Sequence, residues 1–548
     1  MALRHVPSTP SAYNYQLLIK HLLRTPLIYA PDQEIVYRDR MRYTYAEFGR
    51  RVARLANALT SLGVGQGDTV AIMDWDSHRY LECFFAVPMM GAVLHTINVR
   101  LSTEQLVYTI NHADDDIILV NEEFLPLLAG VKDQLATVKK LVLISDSSAE
   151  PQTTLTIDGE YEAMLAVHQD SYDFPDFDED TMATTFYTTG TTGLPKGVYF
   201  SHRQLVLHTY GLIPTLCAIR SQATIGSDDT YMPMTPMFHV HAWGMPYLMT
   251  LLGARQVYPG RYEPEMLLRL IDTEKVTFSH CVPTIMNMLL ANPAIRRMDL
   301  QGLKVIIGGS AMSAGLCRTA MELGINIFTG YGMSETCPVL AIANLKPHML
   351  GCDRDAQVRI RCRTGLPIAN AVIEIVDEDG RPLPHDGLST GEIVVRAPWL
   401  TQGYLKDEEK SEQLWANGWL HTGDIGFIDR EGYLQVTDRL KDVIKTGGEW
   451  ISSLALEDIV SNHPAVAEVA VIGVRDDKWG ERPLALVVLK AEYRDKVTAD
   501  ELRSFFIDYA EKGVIPRYGV PDRIVITDAI AKTSVGKLNK KELRKQYC

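Results

Sequence analysis

At 548 residues the chain is too long for a single hydrophobic core, so two or more domains are expected. Hydrophobic residues make up 46% and charged residues 22%, an ordinary globular balance, and the formal net charge of −14 argues against non-specific nucleic-acid binding. The eight cysteines form no C-x-x-C pair and match no metal or disulfide spacing, so free thiols in a reducing cytoplasm are expected.

The opening "MALRHVPSTPSAYNYQLLIK" lacks the apolar stretch of a signal peptide. "YTYAEFGRRVARLANALTSLGV" has apolar residues at helical spacing and stops at Gly63. "DTVAIMDW" then reads as a buried strand. The longest apolar run, Phe84 to Val99, is short for a membrane span and contains Pro88 and His95. It predicts a buried helix, a turn and a strand, so no transmembrane segment is expected, and peripheral membrane contact is left open. "LVLIS" from Leu141 is another strand, and the acidic "DSYDFPDFDED" reads as a solvated surface loop.

"YTTGTTGLPKG" follows, from Tyr187 to Gly197, after the strand-like "ATTFY". Its register differs from a Walker A loop, because Lys196 precedes Gly197 instead of following the last glycine into a helix. The composition is still directed at phosphate. Glycines let backbone N–H groups turn towards an anion, the threonine hydroxyls donate, and Lys196 adds charge. Further on, "LKVIIGGS" from Leu303 and "INIFTGYGMSE" are strands running into glycine turns. Alternating strands and helices predict α/β layers on a mainly parallel sheet, with ligands beyond the carboxyl ends of the strands. In "FHVHAWG", His239 and His241 share a face if the stretch is extended. From about Ile368, short strands with Asp-Gly and Glu-Gly turns predict a small β subdomain. Beyond Asp438 the pattern is a compact α/β unit, with helices at "SSLALEDIVSNHPAV" and "TADELRSFFIDYAEKGV" and a basic tail.

Seven stretches, in order, resemble the signatures of the adenylate-forming superfamily, which includes acyl-CoA synthetases, luciferases and the adenylation domains of peptide synthetases. They are "YTTGTTGLPKG", "PMFHVHAWG", "GGSAM", "TGYGMSET", "GWLHTGD", "DRLKDVIKTGGEWIS" and "KTSVGK". Taken together the set is similar to bacterial medium- and long-chain fatty acid–CoA ligases. The resemblance implies an α/β fold with a large N-terminal domain over 1–438, whose layered α/β subdomains are joined by a β subdomain at about 368–438. A small mobile α+β domain over 439–548 would follow, hinged near 440–442. It implies ATP-dependent activation of a carboxylic acid to an acyl-adenylate, then thioester formation with CoA, releasing pyrophosphate and AMP. A CoA ligase for a methylthioalkanoate or arylalkanoate and an adenylate-former that loads a carrier protein are the alternatives. A nucleotide binder without turnover is disfavoured, because Lys196, Glu335, Asp424 and Lys537 are all intact.

The resemblance also implies residue roles. Thr188, Thr189, Gly190, Thr191, Thr192 and Gly193, with Lys196, match the loop that holds the β- and γ-phosphates. Thr188 and Glu335 match positions that hold Mg2+. Gly309, Thr329, Gly330 and Tyr331 match the adenine pocket, Ser334 an α-phosphate contact, Asp424 the ribose carboxylate, and Arg439 its neighbour. His239 matches the gate beside the acyl carboxylate, and Lys537 the adenylation lysine. Ala531 departs from the usual proline ahead of that lysine without shifting its register. Lys441, Lys445 and Trp450 match nucleotide-contacting positions of long-chain enzymes, Trp450 also a gate to the acyl tunnel. Gly447 and Gly448 suit passage of a pantetheine arm. A cytoplasmic homodimer is implied as well.

Overall fold

The computed structural model describes residues 3–147, 151–188, 194–446, 449–494, 496–532 and 538–548. Two large sheets carry the N-terminal domain. One has seven strands, running in space from Gly159–Glu160 through Lys140–Ile144, Asp115–Asn121, Thr69–Met73, Val93–Thr96 and Met182–Thr188 to Lys196–Ser201. Its pairs are parallel except the last, which is an antiparallel hairpin. The other has nine strands. Its centre, from Asn326–Gly332 through Lys304–Ile307, Phe278–Cys281, Thr230–Met234 and Arg255–Tyr258 to Glu34–Tyr37, is parallel. Strands such as Thr69–Met73 and Thr230–Met234 are buried at every residue. This is the continuous apolar run expected of a parallel sheet covered on both faces.

Helix starts follow local chemistry. Thr44 accepts the Glu47 N–H ahead of Tyr45–Ser61, and Ser77 accepts that of Tyr80 ahead of His78–Met89. Ser201 and Gln204 form a reciprocal capping box at the helix that follows the glycine-loop hairpin. The run from Phe84 to Val99 is the expected helix, turn and strand. Among the described residues no helix is long and apolar enough to cross a membrane.

A five-stranded antiparallel sheet lies between Val372 and Arg439, and another five-stranded sheet organises the C-terminal part. Helices Ser453–Ser461 and Ala499–Glu511 bury one face of that last sheet, while Lys540–Tyr547 packs Leu543 onto Ala470 and Ile472 of the other. The acidic loop before the hairpin is more than a solvated surface. Asp176 pairs with Lys20 at 2.7 Å, and Glu179 accepts the Leu17 N–H and pairs with Arg203. The loop therefore straps the N-terminal segment to the domain.

One buried charge cluster fixes the first layers. Glu82, fully buried, accepts from Arg51 at 2.7 Å, Tyr43 at 2.8 Å and Tyr161 at 2.6 Å. Arg51 also binds Glu162, whose carboxyl His78, Arg51 and Arg79 hold well below its ordinary range against the opposing effect of burial. A Glu82→Ala change leaves Arg51 short of a counter-charge in the interior, and such breaks cost about 3–5 kcal/mol. The expected outcome is a large-domain unfolding midpoint shifted to lower urea, with Glu82→Gln between variant and parent, read by intrinsic fluorescence.

Candidate functional site

The glycine-loop hairpin sets the first edge of the site. Its register pairs Thr188 with Lys196, so these two flank the mouth of the loop. Gly197 is tightly enclosed. A Cβ there would stand 3.0 Å from the Leu405 Cβ and 3.1 Å from the Tyr187 ring. The Leu405 N–H donates to the Gly197 carbonyl at 2.8 Å, and this crossing brings Tyr404 onto the lysine. The Lys196 ammonium lies 4.2 Å from the centre of the Tyr404 ring, a cation–π distance. The Tyr404 hydroxyl donates to Glu335 Oε1 at 2.7 Å, and the Glu335 carbonyl accepts the Thr401 N–H at 3.0 Å. Burial lowers the Lys196 pKa, with the Glu335 charge pulling the other way. Lysine, tyrosine and glutamate thus form one stack beside the loop.

The second edge is the end of strand Asn326–Gly332. Thr329 is buried with no partner for its hydroxyl, Gly330 and Tyr331 follow, and Ser334 opens the single turn that carries Glu335. Gly332 has no room for a side chain: a Cβ would lie 1.8 Å from the Pro338 carbonyl oxygen. Gly309 closes the neighbouring turn with φ +77°. The Tyr331 hydroxyl donates to Asp424 Oδ2 at 2.7 Å, and Arg439 Nε meets Asp424 Oδ1 at 2.7 Å. Asp424 and Arg439 face each other across adjacent antiparallel strands. The structure therefore brings Thr188, Lys196, Glu335, Thr329, Gly330, Tyr331, Ser334, Asp424 and Arg439 onto connected elements. Lys441 lies in the turn just beyond Arg439. Lys445 follows on the strand Ile444–Thr446, whose backbone pairs with that of Trp450. Thr189, Gly190, Thr191, Thr192, Gly193, Gly447, Gly448 and Lys537 lie outside the described residues.

The third edge is not extended, so the condition under which His239 and His241 would share a face is not met. Val240, His241, Ala242, Trp243 and Gly244 all have positive φ, at 48°, 54°, 47°, 61° and 73°. This is one left-handed turn in which four residues are not glycine, at roughly 1–2 kcal/mol each. Neighbouring contacts impose it. The Met237 N–H donates to Asp76 at 2.9 Å, Thr96 donates to the Phe238 carbonyl at 3.2 Å, and a Cβ on Gly244 would touch the His208 ring at 2.8 Å. His239 sits at the start of the turn, partly exposed, and His241 is turned away from it into the core. Both ring nitrogens of His241 lack partners. The ring lies among Phe84, Phe186, Phe200 and Tyr247, with centroids 5.3–6.2 Å away. Trp243 packs on His280 and fills the space left by Gly308.

Two of these contributors are absent from the residues expected to act. Tyr404 was signalled only by "TQGY", a hydroxyl beside a glycine, and Asp76 by an acidic residue in an apolar context. Burial pushes Asp76 up to about 7 despite its bonds from Tyr262 and the Met237 N–H. For a metal ion, the donors near the loop are the Thr188 hydroxyl and the Glu335 carboxylate, both hard oxygens. Among the described residues no group of three or more His, Cys, Asp or Glu could cage an ion. That donor set fits Mg2+, which usually takes one or two protein oxygens and completes its shell with water and substrate phosphates.

A model of the AMP-binding enzyme family matches residues 29–405, and one of the AMP-binding enzyme C-terminal domain matches 455–537. The chain is 40% identical over 511 residues to a long-chain-fatty-acid–CoA ligase of Thermus thermophilus, covering 92% of this chain and 90% of that one. It is 39% identical to a 3-methylmercaptopropionyl-CoA ligase of Ruegeria lacuscaerulensis, covering 97% of each. Identity to a medium-chain-fatty-acid–CoA ligase of Ectopseudomonas oleovorans is 34%, over 97% and 96% of the two chains. In fold it is similar to an anthranilate CoA ligase in complex with anthranoyl-AMP, with a TM-score of 0.82, 24% identity and 97% of each chain covered.

His208, His241 and His280 surround this third edge, and burial lowers each to about 3. Each folded value is below the unfolded value of about 6.5, so the stability from holding them neutral is complete above pH 6.5. It is lost as pH falls from 6.5 towards 3. Each histidine contributes roughly 1.4 kcal/mol of loss per pH unit in that window. The slope of unfolding free energy against pH between 6 and 5 is therefore expected to be shallower in His208→Gln than in the parent, while the two slopes coincide between 8 and 7.

Proposed function

The chain belongs to the AMP-binding enzyme family, and on that premise we propose how its residues carry out an AMP-forming acyl-CoA synthetase reaction on medium- to long-chain fatty acids. A carboxylate is a poor acyl donor. Attack of its oxygen on the α-phosphorus of ATP makes the acyl-adenylate and releases pyrophosphate, and a CoA thiolate then displaces AMP from the acyl carbon. Both transition states gather negative charge on phosphate or carbonyl oxygens, so positioned positive charge and donors supply the catalysis.

The stack of Lys196, Tyr404 and Glu335 is the observation that carries this reading. With its pKa lowered by partial burial, Lys196 is a partly desolvated cation at the end of the glycine loop, placed to steady the departing pyrophosphate. Tyr404 holds both the lysine and the glutamate in place. Thr188 and Glu335 would hold Mg2+, which when bound neutralises phosphate charge. At the other edge Thr329, Gly330 and Tyr331 receive the adenine, with Gly309 shaping the neighbouring turn and Ser334 reaching the α-phosphate. Asp424 accepts the ribose hydroxyls with Arg439 alongside. His239 stands at the carboxylate of the acid, and Lys537 bridges that carboxylate and the α-phosphate.

The second half-reaction uses the turn at 440–442. Swivelling there would exchange Lys537 for Lys441, Lys445 and the Gly447–Gly448 stretch, along which the pantetheine arm passes, with Trp450 at the entry to the acyl tunnel. We place the domain division at 438 and read the protein as a cytoplasmic homodimer on the strength of its resemblance to long-chain enzymes. A second substrate reading, a methylthioalkanoate, is favoured by the 39% identity to a 3-methylmercaptopropionyl-CoA ligase across 97% of the chain.

Three outcomes are expected. In pyrophosphate-release assays octanoate and palmitate drive turnover above 3-methylthiopropionate and phenylpropanoate, and AMP production rises with CoA. The reverse order of acids transfers the assignment to the methylthioalkanoate reading. Asp424→Asn removes the charge that Arg439 and Tyr331 bind and weakens ribose recognition. KM for ATP should rise at least about tenfold, the worth of one charge-assisted bond, with the KM for CoA nearly unchanged. Lys537→Ala abolishes adenylate formation yet leaves thioester formation from supplied acyl-adenylate largely intact. Equal loss of both steps refutes the exchange of lysines about the hinge.

A further inference from the structure

A buried acid–base pair lies beneath the glycine-loop hairpin, outside the site described above. His95 stands on the strand Val93–Thr96, and Asp115 opens the strand Asp115–Asn121. The strand Thr69–Met73 runs between them, so their contact reaches across a whole strand. That strand sets Ala71 opposite His95, and a single methyl leaves room for the imidazole to pass over. His95 Nδ1 lies 2.9 Å from both Asp115 oxygens and donates to them. The two residues are 1% and 0% exposed. A buried pair of this kind adds little stability over apolar packing of the same volume, whereas it does fix the ring that it holds.

The fixed ring meets the hairpin at Tyr187. On its other side His95 is in register with Thr185, and Tyr187, two residues on, shares that face. The His95 and Tyr187 ring centroids are 5.2 Å apart. The Tyr187 hydroxyl lies 2.8 Å from His112 Nδ1, at the end of the helix Thr103–His112, so the phenol is held at its face and at its tip. Tyr187 pairs with Gly197, and its ring stands 3.1 Å from where a Cβ on that glycine would be. Thr188 and Lys196 are the next pair along. The residue before Asp115 reaches the same hairpin by a second route. Asp114 pairs with Lys406 at 2.5 Å, and the neighbouring Leu405 N–H donates to the Gly197 carbonyl.

We propose that Asp115 and His95 are positioning residues for nucleotide binding. The carboxylate orients the imidazole, the imidazole braces the Tyr187 ring, and the braced ring sets Thr188 against Lys196 across the mouth of the hairpin. Neither member of the pair touches substrate. The proposal rests on the functional reading above, in which Lys196 serves the departing phosphates and Asp424 the ribose. Loosening the brace therefore harms recognition of the β- and γ-phosphates, which AMP lacks, and spares recognition of the nucleoside.

The test measures the dissociation constants of ATP and of AMP for the full-length protein by titration calorimetry, with no acid or CoA present, so that no turnover is needed. His95→Asn keeps a donor near the Nδ1 position for Asp115 and removes the ring that meets Tyr187. Combining His95→Leu with Asp115→Leu replaces both partners by apolar groups and leaves no charge buried, which protects folding where a single change does not. Tyr187→Leu removes the braced ring and leaves the pair intact. The expected result in all three is ATP binding weakened about tenfold with AMP binding within about twofold of the parent. Equal weakening of both nucleotides is the mark of a merely structural role and overturns the proposal, as does an unchanged ratio of the two affinities. An ATP-selective loss in Tyr187→Leu, with the leucine pair behaving as the parent, overturns the part played by Asp115 and His95. A parent that binds neither nucleotide overturns the functional reading and the proposal with it, so failure of the brace and failure of the ligase reading are told apart.

Discussion

The Asp424 carboxylate is the constraint on which the arrangement turns. It is almost wholly buried, and a buried charge persists only where it is paired and hydrogen-bonded. Its two oxygens are taken by groups from different parts of the chain: Tyr331 from the nine-stranded sheet and Arg439 from the strand Leu434–Arg439. One carboxylate thereby ties the strand Asn326–Gly332 and two strands of the smaller antiparallel sheet to a common point. Under the proposed function, a ribose entering here would compete with bonds already made, so nucleotide binding would exchange partners at Asp424 instead of filling a vacant acceptor. Arg439, about half exposed at the end of its strand, is the partner freer to yield.

The same logic of shared partners runs through the end of the site beside the glycine loop. Tyr404 serves Lys196 with its ring face and Glu335 with its hydroxyl, so a cation and an anion are held at fixed separation without a direct salt bridge. Direct pairing would neutralise both. Interposing an aromatic ring keeps the two from neutralising each other, which under the proposed function would leave the lysine charge for phosphate and the second carboxylate oxygen for a hard cation.

Much of this was legible in the sequence because the informative features are local. Glycine-rich turns after apolar strands, capping residues, and alternating strand and helix periods each depend on a few neighbouring residues. These gave the layered α/β order, the small β sheet after residue 368, and the C-terminal helices. What escaped depends on contacts distant in the chain. Tyr404 acquires its role from Glu335, 69 residues earlier, and nothing within "TQGY" announces that partner. The acidic loop is ordered by Lys20 and Arg203. The sequence leaves open whether the stretch at His239 is extended, the condition for its two histidines to share a face. Its true shape is set by Asp76 and Thr96, more than 140 residues away.

The left-handed turn from Val240 to Gly244 inverts the ordinary rules of substitution. Elsewhere in a fold, glycine loosens a segment and a β-branched residue stiffens it. Here Val240 sits in a conformation that its own branching opposes, and glycine would be the more comfortable occupant. A stability-guided redesign, reading each position for its preferred residue, would erase Val240 and Ala242 in favour of glycine. It would obtain a calmer backbone and remove two side chains that are buried in the core.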